Sequence, residues 1–162
     1  MDTLANWMQS TWITNFLVEN NAWIWSALET FHFFGMSLLF GSLLIMDLRL
    51  IGWEKASTVF DTGKLAPMAL AGFGVNLITG IIFCFADPHR YLINISFQIK
   101  MLLILLAGLN FLYFKLKIES AANSAGPGED TAGIAKISGA VSLLVWLGVL
   151  CFGRLIPYLG TG

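Results

Sequence analysis

Long apolar segments alternate with short polar ones along the whole chain. The apolar segments lie at about residues 23–46, 67–86, 97–115 and 136–157. At a rise of 1.5 Å per residue, a helix of about 20 residues crosses the roughly 30 Å hydrocarbon core of a bilayer. The pattern therefore predicts an all-α integral membrane protein, with four spanning helices in one bundle and a single transmembrane domain over residues 1–162.

The first 20 residues are too polar to span, but their apolar residues recur every three to four positions. These residues are Leu4, Trp7, Met8, Trp12 and Phe16. The spacing favours an amphipathic helix, and tryptophan is enriched at the depth where a bilayer meets water. We expect an interfacial helix at about residues 2–18.

Three polar connections separate the predicted spans. Residues 52–66 have room for a short surface helix, and Asp87-Pro88 is expected to end the second span because the residue before proline avoids the helical region. Residues 119–135 are rich in Ala, Gly, Ser and acidic side chains, which is typical of a flexible loop.

Positive charge is concentrated on one side of the predicted bundle. The basic residues near the first and third connections are Arg49, Lys55, Lys64, Lys115, Lys117 and Lys136, whereas the second connection carries Arg90. By the positive-inside rule, the first and third connections are predicted to be cytoplasmic and both termini to lie outside. No basic segment precedes the first apolar run, so we expect the first span to act as its own insertion signal.

Composition supports a membrane location and narrows the chemistry. Hydrophobic residues make up 57% of the 162 residues and charged residues only 12%, against about a quarter charged in a soluble domain. With a net charge of −1 and no basic patch, no nucleic-acid partner is expected. Cys84 and Cys151 lie in apolar runs without CxxC or CxxCH spacing, which disfavours a thioredoxin-type site and covalently attached haem.

A few ionisable residues fall within the predicted spans. Glu29 and His32 are three apart and share a helix face, with Met36 one turn further along. Lys100 lies near the start of the third span and Arg154 near the end of the fourth. The predicted orientation places Glu29, His32, Lys100 and Arg154 in the outer half of the bundle. Ionisable groups at membrane depth are costly and usually mark a function or a buried partner.

These residues suit one kind of cofactor better than others. His, Cys and carboxylate side chains are too few for a zinc site with three or four protein ligands. A histidine in an apolar pocket can ligate haem iron, a neutral lysine amine can supply a second donor, and an arginine can pair with a propionate. We therefore take His32 and Lys100 as candidate metal ligands and Arg154 as a cofactor-binding residue. Glu29 is expected to bond the other ring nitrogen of His32.

Structural roles compete with each of these assignments. Glu29 and His32 also fit a buried pair that fixes helix packing, Lys100 fits a side chain that extends to the interface, and Arg154 fits an interface anchor. No catalytic residue is assigned from the residues alone.

Two runs of the sequence resemble a known superfamily. LETFHFFGMSLLFGSLLIMDLRLIG and FQIKMLLILLAGLN resemble the histidine-bearing and lysine-bearing helices of the superfamily that contains CopD-type copper-resistance membrane domains and HemJ-type protoporphyrinogen oxidases. The whole chain is also similar to a group of small bacterial four-helix membrane proteins. The resemblance implies a bacterial inner membrane location and haem b, with His32 and Lys100 at the positions of its proposed ligands.

Three functions follow as expectations. The first is a haem b-binding membrane protein with a role in electron transfer or porphyrin-linked redox chemistry. The second is a non-enzymatic membrane subunit, copper-related, with Glu29 and His32 as a cation site or packing pair, and the third is protoporphyrinogen oxidase activity. Expected partners are membrane lipid, a redox partner or quinone, and further copies of the chain, because small residues such as Gly72, Asn76 and Gly80 form a stripe where helices can pack.

Overall fold

A computed structural model of the chain describes residues 2–19, 21–53 and 55–159. The described residues form helices and connections only, as the sequence predicts. In chain order these are α1 (Asp2–Gln9), α2 (Trp12–Glu19), α3 (Asn21–Ile51), α4 (Val59–Gly63), α5 (Ala66–Ala86), α6 (Pro88–Leu92), α7 (Ile95–Tyr113) with a π-helical continuation (Phe114–Ile118), α8 (Glu119–Ala122) and α9 (Gly133–Leu159). The two chain termini, Met1 and residues 160–162, lie outside the described residues.

Four helical segments are long and apolar enough to cross a membrane, which confirms the predicted number of long apolar helices. They comprise Trp23–Ile51, Val59–Ala86, Ile95–Ala122 and Gly133–Leu159. Each segment is longer than its predicted span. At the end of the first span, α3 continues beyond residue 46 to Ile51.

The helix α3 extends past residue 46 because the two polar residues that follow, Asp47 and Arg49, are buried within the protein. Asp47 is 5% exposed and Arg49 is completely buried. Arg49 donates hydrogen bonds through Nε to the carbonyl of Ser57 and through Nη2 to the carbonyl of Gly126, at 2.6 and 3.1 Å. The helix ends only at Gly52, whose φ of +91° is accessible to glycine at little cost.

The helix α3 lies at the centre of the arrangement. It packs along α5 on one side and α9 on the other, and α9 also packs along α7. Among the described residues α5 and α7 make no extended backbone contact. Two cavities lie between these two helices, and residues of all four long helices line them.

The close contact of α3 with α5 depends on two glycines. A Cβ on Gly72 would lie 2.6 Å from both the carbonyl oxygen of Gly35 and the backbone nitrogen of Leu39. Gly72, which belongs to the predicted stripe of small residues, therefore packs against α3 of the same chain. Gly80, further along the stripe, faces open space instead.

We expect Gly72→Ala to destabilise the protein by about 1–3 kcal/mol, because the added methyl group forces the two backbones apart. Gly74→Ala is the matched control on the same helix, since a Cβ there meets nothing within 4 Å. Unfolding in mixed detergent micelles measures both effects. Equal stability of the two variants would contradict the close contact between α3 and α5 at Gly72.

The N-terminal segment forms two short helices, not the single predicted helix at about residues 2–18. The helix breaks at Ser10 and Thr11, whose hydroxyl groups donate 2.7 Å hydrogen bonds to the carbonyls of Trp7 and Met8 and so compete with helical bonding. Trp7 is exposed, but Met8 is buried. The side chain of Leu4 lies outside the described residues.

The connection at residues 119–135 is bonded to the rest of the chain, in contrast to the predicted flexible loop. Gly126 accepts from Arg49, and the hydroxyl of Thr131 donates a 2.5 Å hydrogen bond to the carbonyl of Leu50. Asp130 accepts from Lys55 and Lys136 at 2.8 and 3.1 Å, and these hydrogen bonds hold its pKa below the usual range.

Candidate functional site

A cavity of about 300 Å³ lies between the four long helices, and we call it the His32 cavity. His32 and Met36 line it from α3, Cys84 from α5, and Lys100 and Met101 from α7. Most of the remaining wall is aliphatic and aromatic. The structure thus brings the two predicted metal ligands, on different helices, to one apolar cavity.

The ring of His32 is oriented by Thr79, which the crossing of α3 and α5 brings beside it. Nδ1 of His32 lies 2.7 Å from Oγ1 of Thr79. The same hydroxyl donates its single proton to the carbonyl of Val75, at 2.8 Å. Thr79 therefore accepts from Nδ1–H of His32, and this assigns the tautomer in which Nε2 carries a lone pair. Nε2 makes no hydrogen bond to the described part of the chain.

Aromatic rings lie between His32 and α6. Phe83 meets His32 edge-on with ring centroids 5.4 Å apart, and Tyr91 of α6 lies beyond it at 6.5 Å. Tyr91 also contacts Phe97, which lines the cavity. Burial raises the pKa of Tyr91 to about 12, so its phenol stays protonated at neutral pH.

Glu29 occupies a different position from the one predicted. Its carboxylate is exposed and accepts a 3.0 Å hydrogen bond from Nε1 of Trp25, one turn earlier on α3. The bond to the second ring nitrogen of His32, predicted for Glu29, is made by Thr79. Glu29 does not line the His32 cavity.

Lys100 reaches the cavity from α7. A Cβ placed on Gly153 of α9 would lie 3.5 Å from Nζ of Lys100, so the lysine side chain lies directly over this glycine. Within the described ranges Lys100 makes no hydrogen bond or ion pair. A half-buried amine without a bonded partner remains available to a ligand.

Arg154 lies outside this cavity, although it directly follows Gly153. Its side chain is exposed, bonds the hydroxyl of Tyr158 at 3.3 Å and lies 5.5 Å from the centre of that ring. The structure therefore brings together two of the four predicted site residues and leaves Arg154 and Glu29 at the surface. The pairing of Arg154 with a propionate stays a prediction.

Sulfur atoms give the His32 cavity a second chemical character. The side chains of Met8, Met36, Met101 and Cys84 line it together with His32. Thioether and thiolate sulfur atoms are soft ligands that favour Cu(I), and imidazole also binds copper. Of the His, Cys, Asp and Glu side chains, only His32 and Cys84 line this cavity, and the described ranges contain no group of three or more of them that could hold a metal ion.

The donor set also fits haem, with a restriction on size. Haem needs one or two axial donors and an apolar wall, and His32 and Lys100 supply the donors. The cavity is at the lower end of the roughly 300–1,000 Å³ typical of ligand sites. Its open side, where Leu77 and Ile81 of α5 and Met101 of α7 are about half exposed, would have to hold part of the macrocycle.

Comparison with protein-family models, with curated proteins and with solved structures finds no match to the chain. The arrangement of donor atoms around the His32 cavity is therefore the feature that points to a function.

Proposed function

We propose that the chain is a multi-pass membrane protein of the bacterial inner membrane that holds haem b in the His32 cavity and serves in electron transfer or porphyrin-linked redox chemistry. The four spanning segments, of 27 to 29 residues, are long enough for a bilayer. Large apolar side chains such as Phe31, Phe33 and Phe34 are exposed on α3, where lipid would cover them.

The observation that carries the haem proposal is the 2.7 Å contact between Nδ1 of His32 and Oγ1 of Thr79, from which we infer the tautomer of His32. Thr79 holds Nδ1–H, so Nε2 presents its lone pair in the form that ligates iron. Lys100 supplies a second donor from α7, and the apolar wall excludes water. Bound haem b would supply a centre that takes up and releases one electron.

Absorption spectroscopy of the detergent-purified protein, produced with haem precursors supplied, tests the proposal. A Soret band at a stoichiometry near one haem per chain is expected. A colourless protein that stays colourless after titration with haemin would refute haem binding. If haem is present, turnover of protoporphyrinogen distinguishes the oxidase from an electron-transfer protein.

Thr79→Val tests the positioning of His32 without touching the proposed ligand. Loss of a hydrogen bond that orients a ligating histidine typically costs about 10–100-fold in affinity, and we expect that loss for haem. Thr62→Val is the control, because Thr62 is equally buried but bonds only backbone carbonyls near α4. Equal haem affinity in the two variants would remove Thr79 from the site.

The soft donors support a second candidate function, a copper-related membrane subunit. In this function His32 and Met36, with the other sulfur donors of the cavity, would hold Cu(I). Titration with Cu(I) against a chromophoric chelator tests it, and Met36→Leu should weaken binding at least 10-fold. Chelator competition equal to that of wild type would exclude Met36 as a ligand.

The proposed orientation places both termini outside and the connections at residues 52–66 and 116–135 in the cytoplasm. With Cys84 and Cys151 replaced by alanine, Arg90→Cys should react with a membrane-impermeant maleimide in intact spheroplasts, and Ser124→Cys only after lysis. Both positions are exposed. The reverse labelling pattern would show that the protein has the opposite orientation.

Assembly into a homo-oligomer is also proposed, and crosslinking in membranes tests it.

A further inference from the structure

A second cavity, of about 340 Å³, lies between the same four helices, and we call it the Asp47 cavity. Phe73 and Trp146 line both cavities and separate them, with their rings 6.5 Å apart and nearly perpendicular. The Asp47 cavity extends from this aromatic pair to the end of the bundle near α4 and the π-helical segment.

Asp47 presents an unsatisfied acceptor in this cavity. Asp47 of α3 and Ser142 of α9 both line the cavity, and the Oδ2 atom of Asp47 is buried without a hydrogen-bond partner among the described residues. Asn110 and Ser138 also line the cavity, but they bond each other at 3.1 and 3.2 Å. A buried acceptor left without a donor is costly, so Oδ2 of Asp47 indicates where a ligand donates.

The size and wall of the cavity argue against water or a bare cation as its occupant. One water molecule needs about 30 Å³ and two to four polar partners, whereas this cavity has the volume of a small-molecule site. Its wall is mostly apolar and includes the rings of Phe73, Phe111, Phe114 and Trp146. Such a wall suits a planar aromatic group.

The side from which the cavity is reached defines the ligand further. Leu70 of α5 and Phe111 of α7 line it and are 60% and 45% exposed, so its side between these helices faces the proposed lipid. The ion pair of Lys115 and Glu119 lines its end. A molecule that enters from lipid is uncharged, because a charged group is costly in hydrocarbon. The donor to Asp47 is therefore a neutral hydroxyl group on an apolar molecule.

We propose that the Asp47 cavity binds a lipid-soluble phenol or quinol, whose hydroxyl group donates a hydrogen bond to Oδ2 of Asp47 and whose ring lies against the aromatic wall. This second site rests on the proposed membrane location but not on haem in the His32 cavity.

Calorimetric titration of the full chain in nanodiscs tests the site, with protein-free nanodiscs as the blank and oxygen excluded. The probes are trimethylhydroquinone and its dimethyl ether, which has the same ring but no hydroxyl donor. Wild-type protein should bind the quinol at least about 10-fold more tightly than the ether. Asp47→Leu should lose this preference, whereas Asp130→Leu, at an exposed loop carboxylate, should retain it.

A second variant keeps Asp47 and fills the cavity instead. Gly108 of α7 lines the cavity, and a Cβ there meets nothing within 4 Å, so Gly108→Leu adds bulk without a backbone clash. It should abolish binding of both probes and leave the haem spectrum unchanged. Equal binding of the two probes by wild type, or wild-type affinity in Gly108→Leu, would overturn the proposal.

The two proposals fail separately. A colourless protein that prefers the quinol through Asp47 would support this site and refute haem binding. A haem-bearing protein that binds both probes equally would refute this site alone.

Discussion

His32→Ala is expected to yield protein that inserts normally but lacks the Soret band. Alanine removes the only imidazole that lines the His32 cavity among the described residues. Lys100 alone would then face the iron, and a single amine holds haem poorly against detergent. Haem content per chain, measured by the pyridine haemochrome, should fall at least 10-fold.

His89→Ala is the matched control for this loss. His89 lies in α6, where its Nε2 atom is 3.3 Å from Oδ1 of Asn6, and it does not line the cavity. It should retain the wild-type haem content. If His32→Ala keeps its Soret band, or if His89→Ala loses it equally, His32 is not the axial ligand.

Much of the fold was predictable because it follows from local composition. Four apolar segments of spanning length need no long-range information to be recognised, and Pro88 marks the end of α5 as predicted. The end of α3 was not predictable in this way. In the sequence, Arg49 looks like a basic residue at the end of a helix. In the structure, its guanidinium group donates a hydrogen bond to the carbonyl of Gly126, which lies 77 residues further along the chain.

The candidate site was predictable only where its residues were chemically unusual. His32 and Lys100 stand out because ionisable groups are rare in spans. Thr79 does not, because a threonine in an apolar helix usually bonds its own backbone, and only the crossing at Gly72 reveals its contact with His32. Glu29 shares a helix face with His32, but Trp25 one turn earlier binds its carboxylate.

Lys100 is the residue that best separates haem ligation from simple packing. Its amine lies over Gly153 at the His32 cavity, and among the described side chains no carboxylate pairs with it. Only an uncharged amine has a lone pair for iron, and an apolar cavity disfavours a charged ammonium group. Burial and ligation therefore reinforce each other at this position.

Lys100→Arg should change the absorption spectrum and the reduction potential of the haem, because a guanidinium group stays protonated and cannot replace the amine as a ligand. Lys100→Met should restore a spectrum with two axial ligands and raise the potential, since a thioether ligates haem iron opposite histidine. Lys117→Arg is the control, at an exposed lysine of the π-helical segment, and should leave both properties unchanged. Spectroelectrochemical titration of the three variants measures these effects. If Lys100→Arg matches wild type in both spectrum and potential, Lys100 serves packing or the interface, and His32 is left without its proposed partner.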